Sequence, residues 1–322
     1  MHRLIRCHGP LMARRAKSCV RALLAALLLP AAAWAADPDI ALIKAARKGD
    51  PAAAQKALAA GANANRVDFA GDTVLMHAAR TGHGSVAKLL LTGDLNVEAR
   101  NRDGETALLT ASRACAGGVI ELLLTVHADA GVTDAAGNTA LMLAADRCGA
   151  TVVQRLIKVT RELNGRDKEG WTALWHAADR NNLAGATALL EAGADAGLAP
   201  AGRRGLLWQA VERQQAGLVD QLLAHRMPAD TPTDSGSTLL MLAAKQGNPE
   251  IVGRLLKAGA DPDQRNALGQ TALMLAAAAG QDKAIAALLQ AKANASLRDK
   301  KKETALDIAK AAGAQTAVKL LQ

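Results

Sequence analysis

The chain has 322 residues, half of them hydrophobic, and its 39 Lys and Arg against 30 Asp and Glu give a net charge of +9. Six of the basic residues and none of the acidic ones lie in residues 1–35, which leaves 33 basic and 30 acidic residues, or +3, for the rest. Nucleic-acid binding requires a strongly basic surface on the folded part of a protein. The composition therefore predicts no nucleic-acid partner.

The first 35 residues have the layout of a secretory signal peptide. A basic segment precedes the apolar run Ala22–Trp34, and Ala33-Trp34-Ala35 supplies small residues at a cleavage site. The apolar run is too short to span a bilayer. We expect export to a bacterial periplasm, or secretion beyond it, and no membrane insertion after cleavage. Met1 and Met12 both remain open as the start of translation.

A threonine recurs every 33 residues through the rest of the chain, always followed by a Leu- and Ala-rich segment. One step of 66 residues passes over Gly205, which is still followed by Leu206-Leu207-Trp208. Counting that unit and a first one at Ile40, nine units follow each other in register. A fixed period of this length is the signature of a stacked repeat protein. The threonines are Thr73, Thr106, Thr139, Thr172, Thr238, Thr271 and Thr304.

Each unit predicts two helices and a turn. The Thr hydroxyl can cap a first helix, whose Leu and Ala side chains lie on one face. Glycines such as Gly82 and Gly247 suit the left-handed residue that ends it. A second apolar helix follows, and a polar Asp…Gly turn such as Asp134…Gly137 leads to the next unit. Neither helix can bury its apolar face alone, so neighbouring units must stack.

This unit resembles the ankyrin repeat, D-x-x-G-x-T-P-L-H-x-A-A-x-x-G followed by a second helix and G-A-D, over residues 37–322. The resemblance implies an all-α solenoid of about nine helix-turn-helix units joined by short β-turn fingers. It would form one domain, 36–322, with polar caps at about 36–66 and 298–322. The chain departs from the family at the proline and histidine columns. The unit near 200–232 also lacks the Asp, Gly and Thr together, so we expect an irregular turn there.

Cys115 and Cys148 occupy the same repeat position, 33 residues apart. An oxidising compartment would permit a disulfide between them. Packed helices lie ~8–10 Å apart, whereas the Cα atoms of a disulfide lie within ~7 Å. We therefore expect two free or buried thiols and no disulfide.

The sequence carries no nucleophile motif, no phosphate-binding glycine loop and no His or Cys pair with metal-ligand spacing. His77 and His176 share one position in the first helix, three repeats apart, and are expected to form hydrogen bonds within the array. We predict no catalytic residue, no metal and no cofactor, and hence a protein that is not an enzyme.

Ankyrin-like proteins bind partners through the turn tips and the ends of the first helices on the concave side, and the resemblance implies the same here. The helix-end positions carry a row of cations. They would form a groove for an acidic protein partner, or else a solvated face of local Asp–Arg pairs worth well under ~1 kcal/mol each; both interpretations remain open. The row is Arg47-Lys48, Arg80, Arg113, Asp146-Arg147, Asp179-Arg180, Glu212-Arg213 and Lys245.

Among the turn-tip positions, Trp171 is predicted to be an exposed interface anchor. The strongest candidate binding site is Trp171 with Arg180 and Arg147, extended along the array by Arg213, Arg113, Arg80 and Phe69. Trp175 and Trp208 share one repeat position and are expected to stack in the core or at its rim. The other tip positions are Arg102, Glu105, Asn138, Lys168 and Arg204.

The sequence thus predicts an exported, non-catalytic module, monomeric, that binds another protein through its concave face. The alternative is a secreted effector, or a toxin-neutralising protein of the immunity type, that also acts by binding. The identity of the partner is not encoded in any motif of the chain.

Overall fold

The computed structural model describes residues 37–322, so the predicted signal peptide lies outside the described residues. Residues 37–322 form nine consecutive helix pairs, with no β-strand among them beyond two isolated bridges. The helices are α1 Pro38–Lys48, α2 Pro51–Ala59, α3 Val74–Thr81, α4 Gly84–Leu90, α5 Ala107–Arg113, α6 Gly117–Thr125, α7 Ala140–Arg147, α8 Ala150–Ile157, α9 Ala173–Asp179, α10 Leu183–Glu191, α11 Leu206–Glu212, α12 Ala216–Ala224, α13 Leu239–Gln246, α14 Pro249–Lys257, α15 Ala272–Ala278, α16 Asp282–Gln290, α17 Ala305–Ala311 and α18 Gln315–Leu321.

The helices form two layers. Each first helix packs on the first helices of the neighbouring units, and each second helix packs on its own neighbours. The core between the layers is a continuous stack of Leu, Ala and Met side chains, in which the alanines allow close approach of the helices. None of the helices in the described part of the chain is long and apolar enough to cross a membrane. The predicted all-α repeat solenoid is confirmed.

The threonine column caps the first helices as predicted. In α7, the Thr139 hydroxyl accepts a hydrogen bond from the Met142 amide at 3.3 Å. The other six threonines cap their helices in the same way. In the sixth unit Gly205 occupies the capping position of α11 and provides no side-chain acceptor.

Eight four-residue turns, which we call fingers one to eight, connect each unit to the next. In finger three, Asp134 Oδ1 accepts from the amides of Ala136 at 2.9 Å and Asn138 at 2.8 Å. Gly137 closes the turn at a φ of 89°, a left-handed conformation that a side chain would strain. The fingers span 68–71, 101–104, 134–137, 167–170, 200–203, 233–236, 266–269 and 299–302.

Cys115 and Cys148 form a disulfide, with their Cα atoms 5.3 Å apart. The prediction of two free thiols was wrong because it placed both residues on stacked helices. Both lie in the turns that follow α5 and α7, beyond Arg113 and Arg147. Cys115 is left-handed at a φ of 56°, whereas Cys148 is extended at a φ of −81°. The two turns therefore take different paths, and their Cα atoms come closer than the helix axes do.

Candidate functional site

The arginine row predicted at the ends of the first helices is present, and each arginine in it has a carboxylate partner. Its six arginines engage six carboxylates, so the row adds no net positive charge. Each guanidinium side chain remains about half exposed, and pairs of this kind contribute under ~1 kcal/mol. The pairs are Arg47–Asp68, Arg80–Asp72, Arg113–Glu105 and Asp134, Arg147–Asp146, Arg180–Asp146 and Arg213–Asp179.

The pairing bears on the second of the two interpretations of this row. Arg147 and Arg180, two of the residues predicted to grip an acidic partner, share Asp146 at 3.0 and 2.9 Å. Arg113 bridges Glu105 at 2.7 Å and Asp134 in the next finger at 3.2 Å. The local Asp–Arg pairs are therefore present for the six arginines, and the binding of an acidic partner by the row stays a prediction.

His77 lies near the start of the row and is almost fully buried. Its Nε2 lies 3.0 Å from Asp68 Oδ2, and Arg47 approaches the same ring. Burial and the Arg47 charge hold the pKa of His77 below its usual value, against the opposing effect of Asp68 and Asp72. The buried ring is therefore held in its neutral form.

Asp72, beside His77, is also buried. Burial acts to raise the pKa of Asp72, but hydrogen bonds from Arg80 and Asn101 outweigh it, and the pKa lies below its usual value. The ligand atoms of Asp68, Asp72 and His77 lie within 4.8 Å of one another, as metal ligands would. Both carboxylates already bind arginines, so the charge around them disfavours a cation.

Trp171 is half-buried rather than fully exposed. Its ring packs on Trp175 and His176, with centroids 6.4 and 5.4 Å away. The guanidinium of Arg203 lies over its outer face, 5.0 Å from the ring centroid. Trp171 therefore belongs to an aromatic cluster at the surface, and the expected free anchor is only partly available.

Phe69, at the tip of finger one, is 94% exposed. The other fingers place charged or small residues at this tip position, such as Arg102 and Lys168. A fully exposed aromatic ring at one end of a polar row is a feature that an interface would use.

Finger five (200–203) keeps its closing backbone bond, from Arg203 N to the Pro200 carbonyl at 3.1 Å, but lacks the side-chain bonds that shape the others. Pro200 stands where fingers one, three, four and eight have aspartate, and it has neither a backbone N–H nor a side-chain acceptor. In finger four the equivalent Asp167 accepts from Glu169, Trp171 and the His176 ring at 2.8–2.9 Å. In the sixth unit the residue at the His176 position is Gln209, which is buried with its Nε2 unpaired.

Backbone bonds between neighbouring fingers are also interrupted at finger five. Fingers one to four are joined in series, as are fingers six to eight. Within residues 37–322, the amides of Ala201 and Asp234 do not donate to a carbonyl of the preceding finger. The bonds that are present run from Arg102 N to Ala70 O, Ala135 N to Asp103 O, Lys168 N to Ala136 O, Ala267 N to Ser235 O and Lys300 N to Leu268 O, all 2.8–3.1 Å.

The junction between fingers five and six also lacks two side-chain links found elsewhere. Arg166, just before finger four, donates to the Ala199 carbonyl, just before finger five, at 3.1 Å. Ala199 occupies the Arg166 position of the next unit, and its methyl side chain cannot donate a bond to the unit that follows. At the base of the fingers, the Asp195 amide donates to Asn164 at 2.9 Å. One unit later the corresponding residues are Pro228, which has no N–H, and Gly197, which has no side chain.

The two tryptophans of the shared repeat position differ across this junction. Trp175 is 1% exposed, and its indole N–H donates to the Leu198 carbonyl, 23 residues further on. Trp208 is 8% exposed, and its indole N–H has no partner among residues 37–322. Instead of the expected stacking of these two rings on each other, Trp171 packs on Trp175. The Arg204 guanidinium lies 4.4 Å from the centroid of the Trp208 ring.

The family model for ankyrin repeats (3 copies) matches the chain four times, over residues 42–125, 112–199, 201–266 and 240–322. The chain belongs to the ankyrin-repeat family. Members of the family generally mediate protein–protein interaction and are typically non-catalytic binding modules. Comparison with curated proteins gave no match. The ankyrin array of this chain therefore carries a general binding role, and the choice of partner depends on its own surface.

The structure brings Arg147 and Arg180 together on Asp146 and leaves Phe69 far along the array from Trp171. Sequence reasoning missed the pairing of Trp175 with Leu198 and the unpaired Trp208. The missing Asp, Gly and Thr of the sixth unit were the available signal, since they predicted an irregular turn at this place.

Proposed function

We propose that this ankyrin-repeat protein is an exported, non-catalytic module that binds a partner protein through the face formed by the fingers and the first-helix ends. The observation that carries the proposal is the arginine row, which spans six units on one face while its side chains remain 41–62% exposed. Exposed arginines and aromatic residues are over-represented at interfaces. Phe69 and Trp171 add aromatic area to the same face.

Charge balance shapes the kind of partner. Because each arginine in the row already has a carboxylate, a purely acidic partner gains little from it. A partner that presents both acidic and basic groups can exchange ion pairs with the row and bury the aromatic residues. We therefore propose a folded protein with a mixed polar surface.

The proposal is tested by capture from a periplasmic extract. The bait is the wild-type protein, compared with a Trp171→Ala/Arg180→Ala double variant and a Phe69→Ser variant. The matched control is Lys257→Ala/Lys283→Ala, which removes exposed cations from the second helices. Circular dichroism establishes that all variants keep their helical content.

A partner that is lost with the finger-face variants and kept by the Lys257/Lys283 control supports the proposal. A partner kept by the finger-face variants and lost with the control would place the binding surface on the second helices. An activity of the purified protein on a substrate would contradict the non-catalytic role.

Export is a separate part of the proposal, supported by the basic segment, the apolar run and the Ala-x-Ala site of residues 1–35. The N-terminal mass of protein recovered from a bacterial periplasm should correspond to a chain beginning at Ala36. A protein that stays in the cytoplasm with Met1 or Met12 intact would overturn it. Recovery from the culture medium would favour the secreted effector.

A further inference from the structure

An apolar pocket lies at the junction between fingers five and six, where the links between neighbouring units are missing. Its volume is about 240 Å³. The walls come from the start of α11, from the loop that leads to finger six and from the start of α13. They are formed chiefly by Leu207, Trp208, Met227, Pro228, Pro232 and Leu239.

The pocket exists because the chain that follows Trp208 does not cover its ring as the chain that follows Trp175 does. The residue equivalent to Leu198, whose carbonyl takes the Trp175 N–H, is Thr231, which stays exposed at the pocket edge. Trp208 is more than nine-tenths buried, and its N–H lacks any acceptor in the described chain. A buried donor without an acceptor is unfavourable, so a carbonyl oxygen placed beside the Trp208 N–H would be stabilising.

The size of the pocket limits what can enter. Sites for drug-sized ligands range over roughly 300–1,000 Å³, and this pocket is smaller. It has room for about eight waters at ~30 Å³ each, or for one aliphatic side chain with its backbone. An apolar wall bordered by donors of Trp208, Arg204 and the two threonines Thr231 and Thr233 matches an apolar side chain next to a carbonyl oxygen.

The arginines at the rim of the pocket differ from those of the arginine row in their salt bridges. Arg204 borders the pocket and lies over the Trp208 ring, and its neighbour Arg203 lies over Trp171. Neither arginine takes part in a salt bridge within residues 37–322. Two adjacent arginines without carboxylates complement a carboxylate that flanks the inserted side chain.

We propose that the Trp208 pocket binds an extended peptide segment of the partner protein, with one aliphatic side chain inserted and a carboxylate beside it. The inserted residue supplies the carbonyl for the Trp208 N–H, in the role that Leu198 plays for Trp175. The indole nitrogen is fully buried, so the proposed bond requires the loop before finger six to move outward as the segment enters. This inference rests on the proposed protein-binding function and names the chemistry of the contact.

The test uses an acetylated and amidated eight-residue peptide with Glu-Leu-Glu at its centre and glycine and serine around it. One control peptide replaces the leucine by serine, and a second replaces both glutamates by lysine. The full-length protein is labelled with ¹⁵N at its tryptophan indoles, and the Trp208 signal is assigned with a Trp208→Phe variant. Titration with the leucine peptide should shift the Trp208 signal. The protein should bind either control peptide at least tenfold more weakly.

Gly205 provides a variant that blocks the pocket without disturbing the fold. It lines the pocket, its φ is −56°, and a Cβ atom built there meets nothing within 4 Å. Gly205→Leu should weaken peptide binding at least tenfold. Gly149 is the matched control because it also precedes a helix at an ordinary φ of −68° with free space around it. Gly149→Leu should bind the peptide as the wild type does.

No shift at millimolar peptide, an equal shift with the serine peptide, or unchanged binding by Gly205→Leu would each overturn the inference. Failure of this inference can be distinguished from failure of the proposed function. A partner that is captured by the finger face and is unaffected by Gly205→Leu would leave that function standing and remove the pocket from it. Peptide binding without a captured partner would support the pocket and count against the periplasmic partner.

Discussion

Finger three and finger five connect helix pairs of the same length, yet they are held in different ways. In finger three, Asp134 organises the turn internally, and backbone bonds join it to the fingers on both sides. In finger five, Pro200 removes the internal side-chain acceptor and the N–H, and in the described part of the chain the backbone bonds to both neighbouring fingers are absent. Among residues 37–322, the second helices on either side still pack on each other, but the first helices α9 and α11 make the sparsest contact of all neighbouring first helices.

The difference shows that both the finger bonds and the first-helix packing weaken at one junction, while other links across it persist. The helical side stays linked across the junction, since Gln215 donates to the Ala178 carbonyl at 2.7 Å and Gln246 to the Glu212 carbonyl at 2.9 Å. The finger side is divided into a block of four and a block of three. Because a solenoid is stabilised by contacts between neighbours, loss of the finger bonds weakens one junction locally and frees a surface there.

The largest effect should come from the disulfide, which lies in the block with continuous fingers. Cys115→Ser removes a cross-link that closes a loop of 33 residues, which stabilises by about 3–4 kcal/mol in the chain-entropy estimate. Urea unfolding under oxidising conditions should show this loss, and reductant should lower the wild type to the level of the variant. A change under about 1 kcal/mol, or an effect of reductant on the variant, would contradict this.

The two tryptophans give the next largest difference. Trp175→Phe leaves the Leu198 carbonyl without its donor, whereas Trp208→Phe removes an N–H that has no partner. Both variants lose a similar volume. Trp175→Phe should therefore lower the free energy of unfolding by about 1–3 kcal/mol more than Trp208→Phe does. Equal losses in urea unfolding would show that the two indoles are held alike.

Finger five can be repaired by one substitution. Pro200→Asp supplies an acceptor for the amides of finger five and for the unpaired Gln209 Nε2. The gain should be about 1 kcal/mol, after allowance for the rigidity that proline gives to the chain. Pro200→Ala is the control, since it removes the proline without adding an acceptor. A thermal melt that ranks Pro200→Ala level with Pro200→Asp would count against the role assigned to the missing carboxylate.

The smallest effect concerns pH and finger one, where His77 contacts Asp68. The folded chain lowers the pKa of His77, so the unfolded chain binds the proton more tightly. The stabilisation from the neutral ring is complete above the unfolded pKa of about 6.5 and is lost as the pH falls through the lower folded pKa. Urea unfolding at pH 7.5 and 5 should show a fall that is smaller in His77→Gln. The same pH dependence in both proteins would rule His77 out as its source.

Much of the fold could be predicted from the sequence because the repeat shows the same physical requirement many times. Seven threonines in one column required seven caps, and the structure has all seven. The absence of that pattern near Pro200 was equally informative, since it predicted the irregular turn. The periodicity thus indicated both the regular repeat unit and the unit that departs from it.

The disulfide was beyond that reasoning, and the ion pairs were anticipated only as one of two interpretations. The spacing of helix axes could not show that Cys115 and Cys148 sit in turns of different handedness, because the path of a turn depends on residues outside the repeated pattern. The cations of the row were visible, but the sequence could not assign partners that lie in another unit, such as Asp134 for Arg113 and Asp146 for Arg180. Within residues 37–322 Trp208 has no acceptor although Thr231 stands where Leu198 accepts from Trp175, and the repeat pattern does not record that difference.

The most direct test of the divided finger side is amide hydrogen exchange resolved at single residues by NMR. The amides of Ala135, Lys168 and Ala267, which donate to the preceding finger, should be protected from exchange. The equivalent amides of Ala201 and Asp234 should exchange within the shortest labelling time. Equal protection of all five would contradict the account, because it would mean that one continuous row of finger bonds runs the length of the array.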